Sequence, residues 1–303
     1  MTWLTVTILA YLILAVVFLV DKYLLVNAIP NPGLYAFFIG IAGILLLVII
    51  PFIDFYIPSS FQIVLSFLAG ASFIYALYWY FKALQLFDVS QVVPSVGALV
   101  PLFTLSLVYI FSLGKESLSY LEFLSFIFLI GGSVLIAIEK GRQIILKTLK
   151  ISSLAAFFFA LSFVLTKYVY LEQPFLNGLI WTRMGGVLMA LIFFILSPSI
   201  RKELGGQKES FQKKTFGILI ANQAVGAGAG LLQNWAIALA PLVYIAFINA
   251  LQGVQYVFIL IFSILLSFKF PQILKELISK KIIIQRIIAI LIIGIGLALL
   301  AFK

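Results

Sequence analysis

The chain has 303 residues, of which 64% are hydrophobic and only 10% are charged. A soluble domain is about half apolar and a quarter charged, and one globule of this size cannot hide so much apolar surface from water. The composition therefore predicts a membrane protein and excludes a disordered chain. There is no cysteine and no histidine, so there is no disulfide framework, no thiol chemistry and no histidine base or metal ligand.

The net charge of +10 comes from 20 basic and 10 acidic residues. The basic residues fall in short connections between apolar segments, as expected for cytoplasmic loops of a membrane protein. We therefore expect the lipid bilayer and a small-molecule substrate as partners, and no nucleic acid. The chain is expected to act as a monomer or a homodimer.

Apolar stretches of about 20 residues are long enough to cross a bilayer, and proline, glycine and charged residues separate ten of them. These predicted spans 1 to 10 cover residues 3–26, 34–52, 61–81, 90–112, 119–138, 151–171, 175–196, 214–236, 241–268 and 283–302. The predicted fold is an all-α membrane protein with ten transmembrane helices.

The two halves of the chain repeat each other weakly but in a consistent order. Phe18, Lys22 and Tyr23 in span 1 recur at an offset of 145 in span 6, and Pro32 before span 2 matches Pro174 before span 7. The predicted organisation is a five-helix repeat at 1–140, a basic linker at 141–150 and a second five-helix repeat at 151–303.

An odd number of spans in each repeat has a geometric consequence. The second repeat must start from the opposite side of the membrane, so the two repeats are predicted to be inverted copies. Transporters are commonly built this way, with the substrate site near the midplane between the repeats.

Short motifs recur at the expected places of such a repeat. In the first half they are Ala83-Leu84, Val92-Val93-Pro94, Pro101-Leu102-Phe103 and Leu113-Gly114-Lys115-Glu116; in the second half they are Ala238-Leu239-Ala240-Pro241 and Gln255-Tyr256-Val257-Phe258. Over nearly the whole chain this pattern resembles the EamA family of the drug/metabolite transporter superfamily. The resemblance implies a 5+5 helix fold and transport, but no particular substrate.

Polar residues in spans 8 and 9 are candidates for lining a substrate cavity. Asn249, Gln252 and Tyr256 share one helix face, and Asn222 and Gln233 are three full turns apart. Amides inside an apolar span are costly unless they are partnered. They therefore either line a polar cavity or form hydrogen bonds between packed helices.

Spans 3 and 4 supply the facing candidates. Tyr75, Tyr78 and Trp79 form an aromatic face on span 3, and Gln91 and Ser95 are a polar pair on span 4. An aromatic wall opposite the amides would suit a metabolite with an apolar or cationic part. The alternative is an aromatic girdle that faces lipid.

Two charges lie within or beside spans. Arg183 is roughly 12 Å past Pro174 at 1.5 Å per residue, where it either meets an anionic group or extends toward the interface. Asp21, near the end of span 1, is a candidate for proton coupling; the alternative is an interfacial charge pair with Lys22.

The expected function is secondary transport of a small metabolite, amino-acid-like or drug-like, across the plasma (inner) membrane by alternating access. The alternatives are a flippase for lipids or lipid-linked sugars and a non-transporting structural or regulatory membrane protein. An enzyme is not expected, because Asp21, Asp54 and Asp88 lie on separate segments and there is no nucleophile with a base. No catalytic residue, metal site or cofactor is predicted.

Charge also predicts the orientation. Sixteen of the basic residues lie on the odd-numbered connections and three on the opposite side, with Arg183 left out as intramembrane. The positive-inside rule then places the odd connections in the cytoplasm and both termini outside. Resemblance to the family implies cytoplasmic termini, so the two expectations disagree, and we follow the charges.

Overall fold

The computed structural model describes residues 2–27, 31–87, 89–137, 146–204, 213–269 and 280–301. Within these ranges the chain forms helices joined by short connections and contains no β-strand. The helices are α1 Thr2–Asn27, α2 Pro32–Ile41, α3 Ser60–Leu86, α4 Val89–Phe111, α5 Tyr120–Ala137, α6 Leu146–Glu172, α7 Phe175–Leu196, α8 Pro198–Leu204, α9 Lys213–Leu239, α10 Ile245–Ala250, α11 Gln252–Lys269 and α12 Lys280–Ala301.

Helix length and composition make this a membrane-embedded protein. In the part of the chain that the structure describes, six segments are long and apolar enough to cross a bilayer: Thr2–Asp21, Pro32–Phe52, Ser60–Leu86, Lys147–Glu172, Phe175–Leu196 and Leu242–Phe262. Three further apolar stretches are shorter: Ser95–Phe111, Tyr120–Leu135 and Ile284–Leu300. The predicted all-α membrane class is therefore confirmed. The count of ten spans stays a prediction, although a helix occupies each of the ten predicted positions.

Two predicted spans are less regular than continuous α-helices. Span 2 begins as α2 and continues as a 3₁₀-helix over Ala42–Phe52. Span 9 starts with a 3₁₀ turn over Leu242–Tyr244, continues as α10 and is interrupted by a turn at Leu251 before α11.

The helix ends follow from local chemistry. Asn31 caps α2, its side-chain oxygen accepting hydrogen bonds from the backbone N–H groups of Gly33 at 3.0 Å and Leu34 at 3.3 Å. Ser119 and Glu122 form a reciprocal capping box at the start of α5. Lys167 donates a hydrogen bond of 3.0 Å to the carbonyl oxygen of Ala238 in the last turn of α9, where helix carbonyls lack partners within the helix.

Each half of the chain packs extensively on the other. Helix α1 packs against α9 and α11 of the second half, and α6 packs against α3 and α4 of the first half. Helices α5 and α12 pack against each other. The core is therefore built between the two halves of the sequence rather than within each of them.

Glycines bring α3 and α7 into close contact. A Cβ added to Gly70 would lie 1.8 Å from the carbonyl oxygen of Thr182, and one added to Gly185 would lie 2.4 Å from that of Phe67. Both contacts are with backbone, which cannot move aside without separating the helices. Small residues allow such close backbone approach in membrane helices.

Replacing Gly70 with valine should therefore disrupt the α3–α7 contact. Overpacking typically costs about 1–3 kcal/mol and more where backbone is in the way, so we expect a clear fall in the thermal unfolding temperature of the purified protein in detergent. Gly131→Val is the matched control, because a Cβ at Gly131 meets nothing within 4 Å. Equal unfolding temperatures for the two variants would contradict the close packing.

Candidate functional site

A polar cavity lies between five helices, which come from both halves of the chain. Its empty space amounts to about 540 Å³, a figure that includes the open space at its mouth. Its walls come from α2, α3, α6, α7 and α9. The lining residues are Ile39, Gly40, Ala69, Gly70, Phe73, Ile74, Ser162, Phe163, Thr166, Thr182, Arg183, Gly186, Gly230, Gln233 and Asn234.

Arg183 is the charged residue of this lining. Its guanidinium carbon lies 5.9 Å from the centre of the Phe73 ring of α3, and one of its terminal nitrogens is 3.5 Å from the position of a Cβ on Gly230 of α9. The side chain therefore crosses from α7 into the space between α3 and α9 and does not extend toward the membrane interface.

The Arg183 guanidinium has no protein anion beside it. Among the described residues, it engages in no ion pair and no hydrogen bond. The buried carboxylates of that same part of the chain have other partners: Asp21 accepts hydrogen bonds from Tyr35 and Asn222, and Glu122 accepts from Ser119 and Tyr244.

Neutral polar groups surround the rest of the cavity. Tyr170 of α6 donates a hydrogen bond of 2.9 Å to the side-chain oxygen of Asn234, whose amide nitrogen donates one of 2.8 Å to the carbonyl of Gly230. Gln233, Thr166 and the hydroxyls of Ser162 and Thr182 complete this polar side. Phe73 and Phe163 supply an apolar side.

A first polar cluster, which we call the Asp21 cluster, joins α1, α2 and α9. Asp21 accepts hydrogen bonds from the hydroxyl of Tyr35 and, at 2.7 Å, from the amide of Asn222. The amide of Gln223 donates a 3.0 Å hydrogen bond to the Tyr35 hydroxyl. The side chain of Lys22, the partner considered for Asp21 above, lies outside the described part of the chain.

A second cluster, the Asn177 cluster, joins α3, α7 and the connection between α6 and α7. Asn177 donates a hydrogen bond of 3.0 Å to Gln173, which donates in turn to Gln62 at 3.2 Å and to Ser66 at 3.4 Å. The backbone N–H of Tyr56 donates to the Asn177 oxygen at 3.2 Å. All of its side chains are neutral.

The two clusters lie at opposite ends of the molecule, with the cavity between them. Tyr35 is near the start of α2, whereas Tyr56 follows the end of its 3₁₀ continuation, roughly 30 Å away along these helices. The cavity residues Ile39 and Gly40 lie between these points. The arrangement is a central polar chamber with a hydrogen-bonded network at each end.

Four of the residues singled out in the sequence fall in these sites. Arg183 and Gln233 line the cavity, and Asp21 and Asn222 belong to the Asp21 cluster. The structure brings all four to the space between the two halves of the chain.

Asn249, Gln252 and Tyr256 do not line this cavity but face α4. Asn249 is buried and donates a hydrogen bond of 2.8 Å to the hydroxyl of Thr104. The Tyr256 hydroxyl donates to the carbonyl of Val93 at 3.2 Å, and the Gln252 oxygen is 3.5 Å from the position of a Cβ on Gly97. Asn249 and Tyr256 therefore form hydrogen bonds to α4, and Gln252 lies against the same helix.

Tyr75, Tyr78 and Trp79 form an aromatic cluster beside the cavity rather than within it. Tyr75 packs edge-on against Phe158 with ring centres 4.7 Å apart, and Tyr78 lies 5.4 Å from Phe193. The Lys82 ammonium sits over the Trp79 ring at 4.7 Å. On α4, Ser95 is buried away from the cavity lining, and the side chain of Gln91 lies outside the described residues.

The sequence interpretation missed several polar residues that matter here. Ser162, Thr166 and Tyr170 are spaced four apart on α6 and form a polar stripe that could have been read from helical periodicity. Tyr35 and Asn177 carry no such signal, because each lies in the first turns of its helix, where polar residues are ordinary.

Comparison with known proteins bears on the fold. No protein-family model matches the sequence, and no curated protein matches it. Solved structures do match: in one crystal structure of a protein, the superposition covers 97% of this chain and 96% of that chain, with a TM-score of 0.66 at 15% sequence identity. At this identity the likeness shows a shared fold alone.

Proposed function

We propose that the protein is a secondary transporter, similar to the EamA family, that moves a small metabolite across the plasma membrane by alternating access. The observation that carries this proposal is the polar cavity between helices of both halves, with a hydrogen-bonded cluster at each end. Such a chamber suits a solute that is enclosed between two gates. The wall of five helices favours a water-soluble metabolite over a lipid, which a flippase would admit from the side.

The packing of the helices supports an inverted repeat of ten spans. Under an exchange of the two halves, α1 corresponds to α6, α3 to α9, α4 to α10 with α11, and α5 to α12. The contacts of α1 with α9 and α11 then become those of α6 with α3 and α4, and the α5–α12 contact maps onto itself. This exchange fits a two-fold axis in the membrane plane, as in transporters of this type.

The two ends of the cavity are closed by different means. Near the Asn177 cluster, α3 and α7 are in close backbone contact through Gly70 and Gly185. The equivalent pair, α2 and α9, meets through the hydrogen bond between Tyr35 and Gln223 and is not among the closely packed helix pairs. The Asp21 cluster is therefore the thinner gate, and we propose that it opens first from this conformation.

Uptake and counterflow in proteoliposomes with a panel of labelled metabolites test the transport proposal directly. A transporter gives saturable counterflow of at least one solute. Its absence for every solute, with folded protein in the membrane, would favour a non-transporting structural or regulatory role.

Locking either cluster should stop transport. The chain has no cysteine, so cysteine pairs can be joined by a short bifunctional thiol reagent. We expect the pairs Gln62→Cys with Gln173→Cys and Tyr35→Cys with Gln223→Cys to lose most counterflow when joined, and to recover it when the link is reversed by reductant.

The control for this locking experiment is a pair outside the gates. Gln285 of α12 donates a hydrogen bond of 2.8 Å to the carbonyl of Leu135 of α5, so Leu135→Cys with Gln285→Cys joins two scaffold helices. Joining this pair should leave counterflow unchanged. Full counterflow in a completely joined gate pair would rule out that cluster as a gate.

Asp21 is the proposed coupling residue, because it is the one carboxylate of either cluster. Asp21→Asn retains an oxygen that accepts from Tyr35 and Asn222 but carries no charge. We expect the variant to keep counterflow and to lose uptake driven by a pH gradient. Asp54→Asn, at an exposed position, is the control. A normal response of Asp21→Asn to the gradient would remove Asp21 from the coupling role.

The charge bias places the Asp21 cluster on the cytoplasmic side, since it lies at the end of α1 and the start of α2. Single cysteines at Ser59 and Ser210 report the orientation in intact cells. We expect an impermeant maleimide to label Ser59→Cys and to leave Ser210→Cys unlabelled. The reverse pattern would establish cytoplasmic termini, as the family resemblance implies.

A further inference from the structure

The Arg183 guanidinium poses an electrostatic problem. An unpaired charge within the membrane is costly, and such residues usually pair with one another or face a water-filled pathway. Arginine cannot relieve that cost by losing its proton, because it stays charged in proteins. No carboxylate among the described residues pairs with it, as set out above. We therefore expect the ligand to supply the negative charge that pairs with Arg183.

The lining of the cavity describes the rest of that ligand. Hydroxyl and amide groups, among them Thr182 and Gln233, border one side and offer hydrogen bonds to a polar head. The rings of Phe73 and Phe163, with Ile74, border the other and suit an apolar body. No acidic residue lines the cavity, so a cationic group finds no counter-charge there.

We propose that the cavity binds a small organic anion with an aromatic or branched apolar body, and that its carboxylate or phosphate group is held by Arg183. The planar guanidinium pairs with either group through two parallel hydrogen bonds. This inference names the substrate class of the proposed transporter. It rests on the proposed function only for the statement that the bound anion is transported.

The choice of probe follows from the lining of the cavity. A single ring with a short acidic side chain is the simplest molecule that combines the apolar body and the anionic head that this lining suits. The probe is therefore phenylacetate, with phenylacetamide as its neutral counterpart of the same shape and phenethylamine as its cationic counterpart.

Binding is measured at pH 7 on the full chain in nanodiscs of phosphatidylcholine, by the shift in thermal unfolding temperature over a ligand titration. We expect phenylacetate to bind at least about tenfold more tightly than phenylacetamide, since a hydrogen bond to a charged group exceeds one to a neutral group. Phenethylamine should not bind. Equal affinities for the acid and the amide would overturn the proposal.

Substitutions at Arg183 separate charge recognition from folding. Arg183→Gln should abolish the preference for phenylacetate over phenylacetamide, and Arg183→Lys should retain it with affinity lowered about tenfold, because a point charge does not reproduce the two-pronged contact. Arg201→Gln makes the same chemical change at an exposed site, where the guanidinium contacts the carbonyl of Phe194, and should bind phenylacetate normally. If Arg183→Gln does not fold, the Lys variant decides: unchanged phenylacetate affinity would overturn the proposal.

Two further experiments distinguish a soluble anion from a lipid headgroup as the ligand. Inorganic phosphate is titrated against phenylacetate, and nanodiscs with phosphatidylglycerol supply an anionic lipid headgroup. Displacement of phenylacetate by millimolar phosphate supports the anion site at Arg183. Binding of phosphatidylglycerol with no binding of phenylacetate would overturn the soluble substrate class and favour a lipid-handling protein.

The binding and transport experiments fail separately. Arg183-dependent binding of phenylacetate with no counterflow of any solute would retain the anion site and reject the transporter. Robust counterflow of neutral or cationic solutes, unaffected by Arg183→Lys, would retain the transporter and reject the anion site.

Discussion

The hydrocarbon of a membrane offers no hydrogen-bonding partner, so polar groups inside the fold must be paired within the protein. Several side chains here donate hydrogen bonds to backbone carbonyls of another helix. The Tyr11 hydroxyl donates to the carbonyl of Ile248 at 2.9 Å, close to the turn at Leu251, and Gln255 donates to that of Leu14 at 3.2 Å. These bonds hold α1 of the first half against α10 and α11 of the second. The hydrogen bonds that satisfy these polar groups are therefore also contacts that join the two halves.

Trp79 Nε1 and Ser152 Oγ are buried without a hydrogen-bond partner, and Arg183 is the charged side chain of the cavity lining that has no ionic partner among the described residues. Gly186 and Gly230 border the space that the guanidinium enters, and a larger side chain at Gly230 would meet the guanidinium itself. The same close packing that Gly70 and Gly185 allow between α3 and α7 holds the base of Arg183 in place. A packed scaffold that leaves one charge unpaired is preorganised for a partner of the opposite charge, because it avoids reorganisation on binding.

Helix positions and the intramembrane charge could be predicted from the sequence, because both depend on local composition and on distance from a helix end. The partners of the amides could not. Asn249, Gln252 and Tyr256 share a face by periodicity, but whether that face meets a cavity or the hydroxyl of Thr104 depends on which helix lies opposite. The role of Tyr35 was equally hidden, since its contact with Asp21 depends on how α1 and α2 pack. Periodicity gives the direction of a side chain and not its neighbour.

In the proposed mechanism, the two clusters differ in whether their closing depends on a charge. Each hydrogen bond contributes about 0.5–1.5 kcal/mol net, so breaking the neutral Asn177 cluster and exposing it to water exchanges one set of bonds for another at modest cost. The Asp21 cluster contains a carboxylate, and burying a charge costs far more than burying an amide. Closing that end therefore depends on whether Asp21 carries a charge, whereas closing the other end does not. In the proposed mechanism, the inverted repeat supplies a gate at each end of the cavity, and a single aspartate makes one of the two gates respond to the proton.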